Sequence, residues 1–279
     1  MNVFKVKILT VIFLSLIFTS CEKVVTNVDL PNTEQQLVVQ SFISPQDEVI
    51  KVWVSLSKPV FSSTPIEDSD FIENATVVIS DGATSKTLSK PFGEYYYWVN
   101  NIDFPIVAGK TYTLNVSTPD GKKCDAICTV PLNKIMSFEM VSIDTVDYRN
   151  IIKTKFKDIS NEDNYYNISA TIKYPFSGKT CYAQLGGEYG TGFLIHNTND
   201  GEWINQKFSF QLFGVMKCNF NLIFDFLNTD EHYYNYHKSV YLGYQDNLFT
   251  EPIIPYTNIN NGLGVFCAYN AFHTEVDYK

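Results

Sequence analysis

From Leu37 onward the chain is a succession of short runs in which apolar and polar residues alternate, separated by Gly, Pro, Asn and Asp. A period of two places alternate side chains on opposite faces of an extended segment, so each run predicts a strand with one buried face. Leu37–Ile43 is the first run and ends at Ser44-Pro45. Val49–Lys58 follows, apolar mainly at even positions, and stops at Pro59. Ala75–Ser80 and Thr84–Leu88 flank Asp81-Gly82 and read as a hairpin. Gly93–Asn100 is aromatic, and Thr111–Thr118 places Tyr112, Leu114 and Val116 on one face. Pro119-Asp120-Gly121 supplies a turn before Lys122–Val130, and Pro131 closes the series. About seven short strands at near-regular spacing predict an immunoglobulin-like β-sandwich over 37–132, without the disulfide and tryptophan of antibody domains.

After Pro131 the texture changes. Ile135–Val146, Ile151–Phe156, Tyr165–Tyr174, Trp203–Phe213 and Cys218–Phe226 read as strands, with a Gly-rich stretch (Gly186, Gly187, Gly190, Gly192) interrupting them. Asn228-Thr229-Asp230-Glu231 resembles a capped helix start. Beyond it Tyr233, Tyr236, Val240 and Tyr244 recur at helical spacing, so one helix near 229–244 should pack an apolar face on the sheet. Leu263–Phe272 closes the chain with a β-like run. The fold class is mostly β. The sandwich is expected to pack on a second mostly-β (α+β) domain over 133–279, and no low-complexity linker separates the two.

The first residues have a different pattern. Lys5 and Lys7 precede the apolar run Ile8–Phe18, and Thr19-Ser20 lead to Cys21. A charged start, a short apolar middle and small residues before a cysteine are the layout of a lipoprotein signal peptide over 1–20. The apolar run falls short of the about 20 residues that a membrane-spanning helix needs. Cys21 is the candidate lipidation site and 21–36 the lipidated N-terminus and tether. Each buried methylene contributes about 0.8 kcal/mol, so two or three acyl chains would hold the protein permanently. The expected location is therefore a membrane surface, held by lipid, with the face it presents unassigned.

Charge narrows the partners. The 279 residues carry 21 basic and 30 acidic side chains, a net charge of −9. Loss of 1–20 removes Lys5 and Lys7 and no acid, which deepens that negative balance. No basic patch for nucleic acid is visible. Apart from Cys21, the cysteines are Cys124, Cys128, Cys181, Cys218 and Cys267. Cys124 and Cys128 are four apart in one strand, about 13 Å at 3.3 Å per residue, too far for a disulfide. No CxxC pair supports zinc or thioredoxin-like chemistry. The cysteines read equally as small buried hydrophobes or, in an exported protein, as disulfide partners.

Catalytic signatures are sparse. His196, His232, His237 and His273 form no HExxH, and His232 and His237 are off the spacing of one helix face, so they read as isolated surface or packing residues. No GxSxG is present. The Gly186–Gly192 stretch lacks the GK[ST] of a phosphate loop, and Glu67, Asp68 and Asp70 read as a solvated acidic loop. Neither a cofactor nor an enzymatic role is expected. In Tyr95-Tyr96-Tyr97-Trp98 one pair should enter the core, and Tyr96 and Trp98 share a face that could stack a sugar or peptide. Asp144-Thr145-Val146 resembles a short O-glycosylation acceptor, which makes Thr145 a candidate modification site.

Several blocks together resemble a known family: Cys21–Val25 with Asp29-Leu30-Pro31, Val52–Ser57, Ala75–Gly82, Gly109–Leu114, Thr118–Gly121 and Asn258–Phe266. The chain resembles an uncharacterised family of Bacteroidota outer-membrane lipoproteins that carry a domain of unknown function. Asn261 stands where a second Gly is common, and Cys267 where a small residue is common. The resemblance implies an accessory or binding lipoprotein that partners a TonB-dependent outer-membrane receptor in substrate capture or uptake. It carries no catalytic or ligand residues over. The alternative expectation is a structural or assembly lipoprotein of the envelope with no small ligand, and a less favoured one is a hydrolase with an unrecognised site.

Overall fold

The computed structural model describes residues 34–58, 70–146, 149–176, 179–186, 192–197, 200–210, 220–244 and 254–278. Gln35–Lys279 forms one compact unit. The strands run in chain order as β1 (Leu37–Ile43), β2 (Val49–Leu56), β3 (Thr76–Ser80), β4 (Ser85–Thr87), β5 (Tyr96–Asn100), β6 (Thr111–Ser117) and β7 (Lys123–Thr129). They continue with β8 (Phe138–Val146), β9 (Arg149–Lys157), β10 (Asn164–Phe176), β11 (Lys179–Gln184), β12 (Gly192–Asn197), β13 (Trp203–Phe210) and β14 (Phe220–Thr229). Helix α1 (Glu231–Tyr244) and the long β15 (Gly262–Tyr278) complete the described elements. The fold is mostly β, as expected.

An eight-stranded sheet, ordered β11-β10-β14-β15-β1-β2-β5 with β12 also on β10, is the frame. Strand β15 joins its two parts. Gly262–Ala268 pair in parallel with β1, and Tyr269–Tyr278 pair antiparallel with β14. The four-stranded sheet β4-β3-β6-β7 covers one part, and the three-stranded sheet β13-β9-β8 covers the other. Two cores result. Val39, Val52, Val54 and Tyr97 of the large sheet meet Val77, Tyr112, Leu114 and Cys128 of the four-stranded one. Ile168, Phe224 and Phe226 meet Ile152, Phe156 and Phe208 of the three-stranded one. Strand β15 contributes to both cores: Phe266 and Ala268 to the first, Phe272 and Val276 to the second.

The closing Gly-Leu-Gly-Val-Phe block explains itself at this junction. Gly264 has φ +101°, and a Cβ there would collide with the Val39 carbonyl. Only glycine combines that dihedral with so close an approach. Asn261 has φ +57°, a left-handed conformation that Asn adopts more readily than most residues, so it serves where Gly is common. Asn258 brackets Phe266, donating to its carbonyl at 2.7 Å and accepting from its N–H at 3.0 Å. Asn260 ties the segment to Asp125 of β7. Cys267 is fully buried, a small hydrophobe beside the Ser41 carbonyl. Cys124, Cys128, Cys181 and Cys267 are all free thiols, and Cys218 lies outside the described residues.

Three differences from the sequence reading have local causes. Strands β11 and β12 flank the Gly-rich stretch, where glycine and polar residues hide the period of two. Strand β15 runs to Tyr278, past the expected Phe272, because β14 pairs with its polar tail. Strand β8 begins at Phe138, after the expected Ile135, which is itself buried in the second core.

Candidate functional site

The large sheet buries one face under the two smaller sheets and turns the other outward. Parity assigns the outward side chains: Asn167 and Ser169 on β10, Asp225 and Leu227 on β14, Tyr269 and His273 on β15, Phe42 on β1, Lys51 and Trp53 on β2. Helix α1 lies on this face, over β15 and beside β10, β12 and β14. Asp230 is its N-cap. The carboxylate accepts the Tyr233 N–H at 2.8 Å and the Ala268 N–H of β15 at 3.0 Å, so one side chain both starts the helix and fastens it to the sheet. Burial pushes the Asp230 carboxyl up to about 7 against those backbone donors. Tyr233, Val265 and Cys267 form a small third core with Phe42, Leu227 and Tyr236.

The helix does not seal the face. Between α1 and the sheet lies a pocket of about 560 Å³. Its floor carries Asn167, Ser169, Asp225, Tyr269 and His273, and the helix supplies Tyr233, His237 and Tyr241. Asp47 reaches it from the β1–β2 turn. That turn is clamped: Asn101 donates to the Asp47 carbonyl at 2.7 Å, and the Gln46 side chain accepts the Ala271 N–H at 2.8 Å. The Tyr269 hydroxyl lies 2.9 and 2.8 Å from the two Asp47 carboxylate oxygens. Burial raises the Asp47 carboxyl above its usual range despite that hydrogen bond. Across the pocket His273 Nδ1 lies 2.6 Å from Asp225 Oδ1, and Ser169 Oγ lies 3.5 Å from Asp225 Oδ2. Asn167 donates to the Tyr233 hydroxyl at 2.9 Å.

His237 is the unusual member. Its ring packs 4.3 Å from that of Tyr233 and 5.5 Å from that of Phe42. Its Nε2 is buried without a hydrogen-bond partner, and desolvation holds its pKa down at about 4. His237 thus packs the pocket wall as a neutral imidazole with one buried nitrogen unsatisfied. Asp47 and Tyr269 also line a second hollow, of about 490 Å³, with Phe42, Lys51 and Trp53. The pocket therefore continues sideways along the sheet into a shallower groove.

Residues 24–275 match the family described as "Domain of unknown function (DUF4249)". The chain belongs to this family. No curated protein matches it. The family match runs through both cores and the whole outward face, so the pocket is built within the domain.

The expected site residues are placed as follows. Tyr96 and Trp98 of β5 lie half-buried on the outward face, while Tyr97 points into the first core and bonds the Ile72 carbonyl and the Ala75 N–H. Tyr96 packs 5.8 Å from the Trp53 ring, with Lys51 Nζ 4.7 Å from its own ring centroid. It thus extends the groove as an aromatic shelf, and neither Tyr96 nor Trp98 lines the deeper pocket. Cys21, Glu67 and Asp68 lie outside the described residues, as does the side chain of Thr145 in β8. Asp70 is ion-paired to Lys58 at 2.6 Å. Among the described residues no group of three or more His, Cys, Asp or Glu is arranged to hold a metal.

Sequence reasoning missed the pocket. The four histidines, expected as isolated surface or packing residues, divide: His196 stacks on Tyr165, His232 bonds Tyr256, and His237 and His273 share the pocket. A signal was present in β14 and β15, where Asp225 interrupts a Phe-rich strand and His273 sits two positions from Ala271 and four from Tyr269, all on one parity.

Proposed function

We propose that the protein is a lipid-anchored binding accessory of the outer membrane, held by acyl chains on Cys21, that captures a ligand for a TonB-dependent receptor. Its N-terminal half is then an immunoglobulin-like sandwich that carries one edge of the binding face. The observation that supports a binding role is the pocket between α1 and the large sheet. Its volume falls in the range of small-molecule sites, and polar groups from five separate elements converge on it. Binding is favoured over catalysis because, among the described residues, neither His237 nor His273 has a Ser, Thr or Cys within hydrogen-bond distance. The receptor and the membrane come from the resemblance and from the lipoprotein signal over 1–20.

The test is affinity purification of the C-terminally tagged full-length protein from mildly solubilised outer membranes, with mass spectrometry of the co-purifying proteins. A stoichiometric TonB-dependent barrel is expected. A clean preparation of the lipoprotein alone would overturn the receptor partnership and favour a free-standing envelope role.

A further inference from the structure

The pocket has an electrostatic imbalance. Two carboxylates, Asp47 and Asp225, line it, and among the described residues neither Lys nor Arg does. Asp225 is held by His273, whose Nδ1 lies 2.6 Å from Asp225 Oδ1, whereas Asp47 has no basic side chain in ion-pair contact among the described residues. Asp47 receives one phenolic hydrogen from Tyr269, which leaves most of its acceptor capacity unused in a half-buried position. A carboxylate taken partly out of water without a basic partner is costly, and a cation that enters the pocket relieves that cost. The walls suit such a guest. Tyr233, Tyr241 and Tyr269 present rings, whose negative faces attract ammonium groups. His237 adds an imidazole that desolvation keeps neutral, so it brings no positive charge to the wall. An anion would face two carboxylates inside the pocket, with Lys51 lying out in the adjoining groove, and a neutral polyol would leave the Asp47 charge uncompensated.

Resting on the binding role proposed above, we infer that this pocket selects a small organic cation, an amine or quaternary ammonium compound, through Asp47, Asp225 and the tyrosine rings. The cation displaces water from Asp47 and Asp225, and the open end of the pocket toward Trp53 leaves room for a substituent on the ammonium group.

The test is isothermal titration calorimetry on the full-length protein in detergent micelles with four probes: choline, its uncharged carbon analogue 3,3-dimethyl-1-butanol, maltotriose and acetate. Choline should bind, more weakly as salt is raised, and the other three should not. Asp47→Asn keeps an acceptor oxygen for Tyr269 and Asp225→Asn keeps one for either His273 or Ser169; each should lower choline affinity about tenfold or more, with near-UV circular dichroism unchanged. Glycerophosphocholine, the detached headgroup, separates the carriers of the ammonium group: choline binding alone assigns a free solute, and tighter binding of glycerophosphocholine than of choline assigns a lipid headgroup, both within the proposed class. Equal binding of choline and its carbon analogue, or binding of maltotriose or acetate instead, would overturn the cation class while leaving the binding role standing. No binding by any probe, with a receptor barrel still co-purifying, would also overturn the cation class alone. No binding and no barrel would remove both.

Discussion

The two faces of the large sheet are built from the same strands and differ in every physical respect. On β14, Phe220, Leu222, Phe224 and Phe226 point inward and are buried among aromatic rings of the three-stranded sheet, while Asn221, Asp225 and Leu227 point outward. On β15, Phe272 and Val276 point inward, and Tyr269, Ala271 and His273 outward. The inward face is dry and close-packed. The outward face is covered only in part by α1 and keeps hydroxyls, imidazoles and carboxylates around a pocket. One strand can therefore carry stability and recognition at once, because a period of two keeps the two sets of side chains apart. A change on one face should leave the other largely untouched, and that separation can be tested.

The largest effect should come from the inward face. Phe226 is fully buried, with ring contacts to Phe138 at 4.9 Å and Phe156 at 5.7 Å. Phe226→Ala should cost about 4 kcal/mol in chemical denaturation, through lost transfer energy and a cavity that stiff sheets cannot collapse. A cost near zero would break the claim that this face carries the stability.

Next is the seam. Gly264→Ala adds a Cβ against the Val39 carbonyl at φ +101° and should cost about 3 kcal/mol, with slowed amide exchange protection lost first along β1. If exchange were instead lost first in β10 and β14, the shared-strand account of β15 would fail.

The outward face should respond to pH rather than to packing. The imidazole of His237 is held neutral, with a pKa of about 4 in the folded state against 6.5 when unfolded. The unfolded chain therefore binds the proton more readily between those values. The stability that neutral His237 contributes is present in full above pH 6.5 and is lost as pH falls toward 4, by about 3 kcal/mol. Measured against His237→Phe, whose ring cannot titrate, the wild type should weaken by that amount on acidification. A constant difference between the two across pH 4–7 would show that His237 is not desolvated.

The smallest effect belongs to the shelf. Tyr96→Ala removes a half-exposed ring that touches Trp53 and Lys51, and should change stability by no more than about 1 kcal/mol. A larger loss would mean that the shelf is a buried part of the core and no surface for a ligand.

Much of the fold was legible. Strands β1, β2, β6 and β7 fall at the expected positions because one face of each is buried and the other wet, the condition under which alternation is written plainly. Asp230 and the Tyr233–Val240 spacing announced α1 for a similar reason. The candidate site was barely legible. Its members stand at 47, 167, 225, 237, 269 and 273, and nothing local links Asp47 to Tyr269 or His237. The aromatic run at 95–98 drew attention because it is contiguous, yet a strand sends such neighbours to opposite faces, Tyr97 inward and Tyr96 and Trp98 outward.

By itself the sequence determined a mostly-β chain with one capped helix, turns at Asp81-Gly82 and Pro119-Asp120-Gly121, and a negative charge that disfavours nucleic acid. These are properties of short windows and of composition, where each residue's preference is set by its near neighbours. Tertiary structure alone decided that β15 pairs with both β1 and β14, that α1 lies across the outward face without sealing it, and that two carboxylates and an unsatisfied imidazole meet there. Those facts depend on contacts between residues up to 226 positions apart in the chain, such as Cys267 beside Ser41, and they exist only once the backbone hydrogen bonds of the sheet have fixed every register.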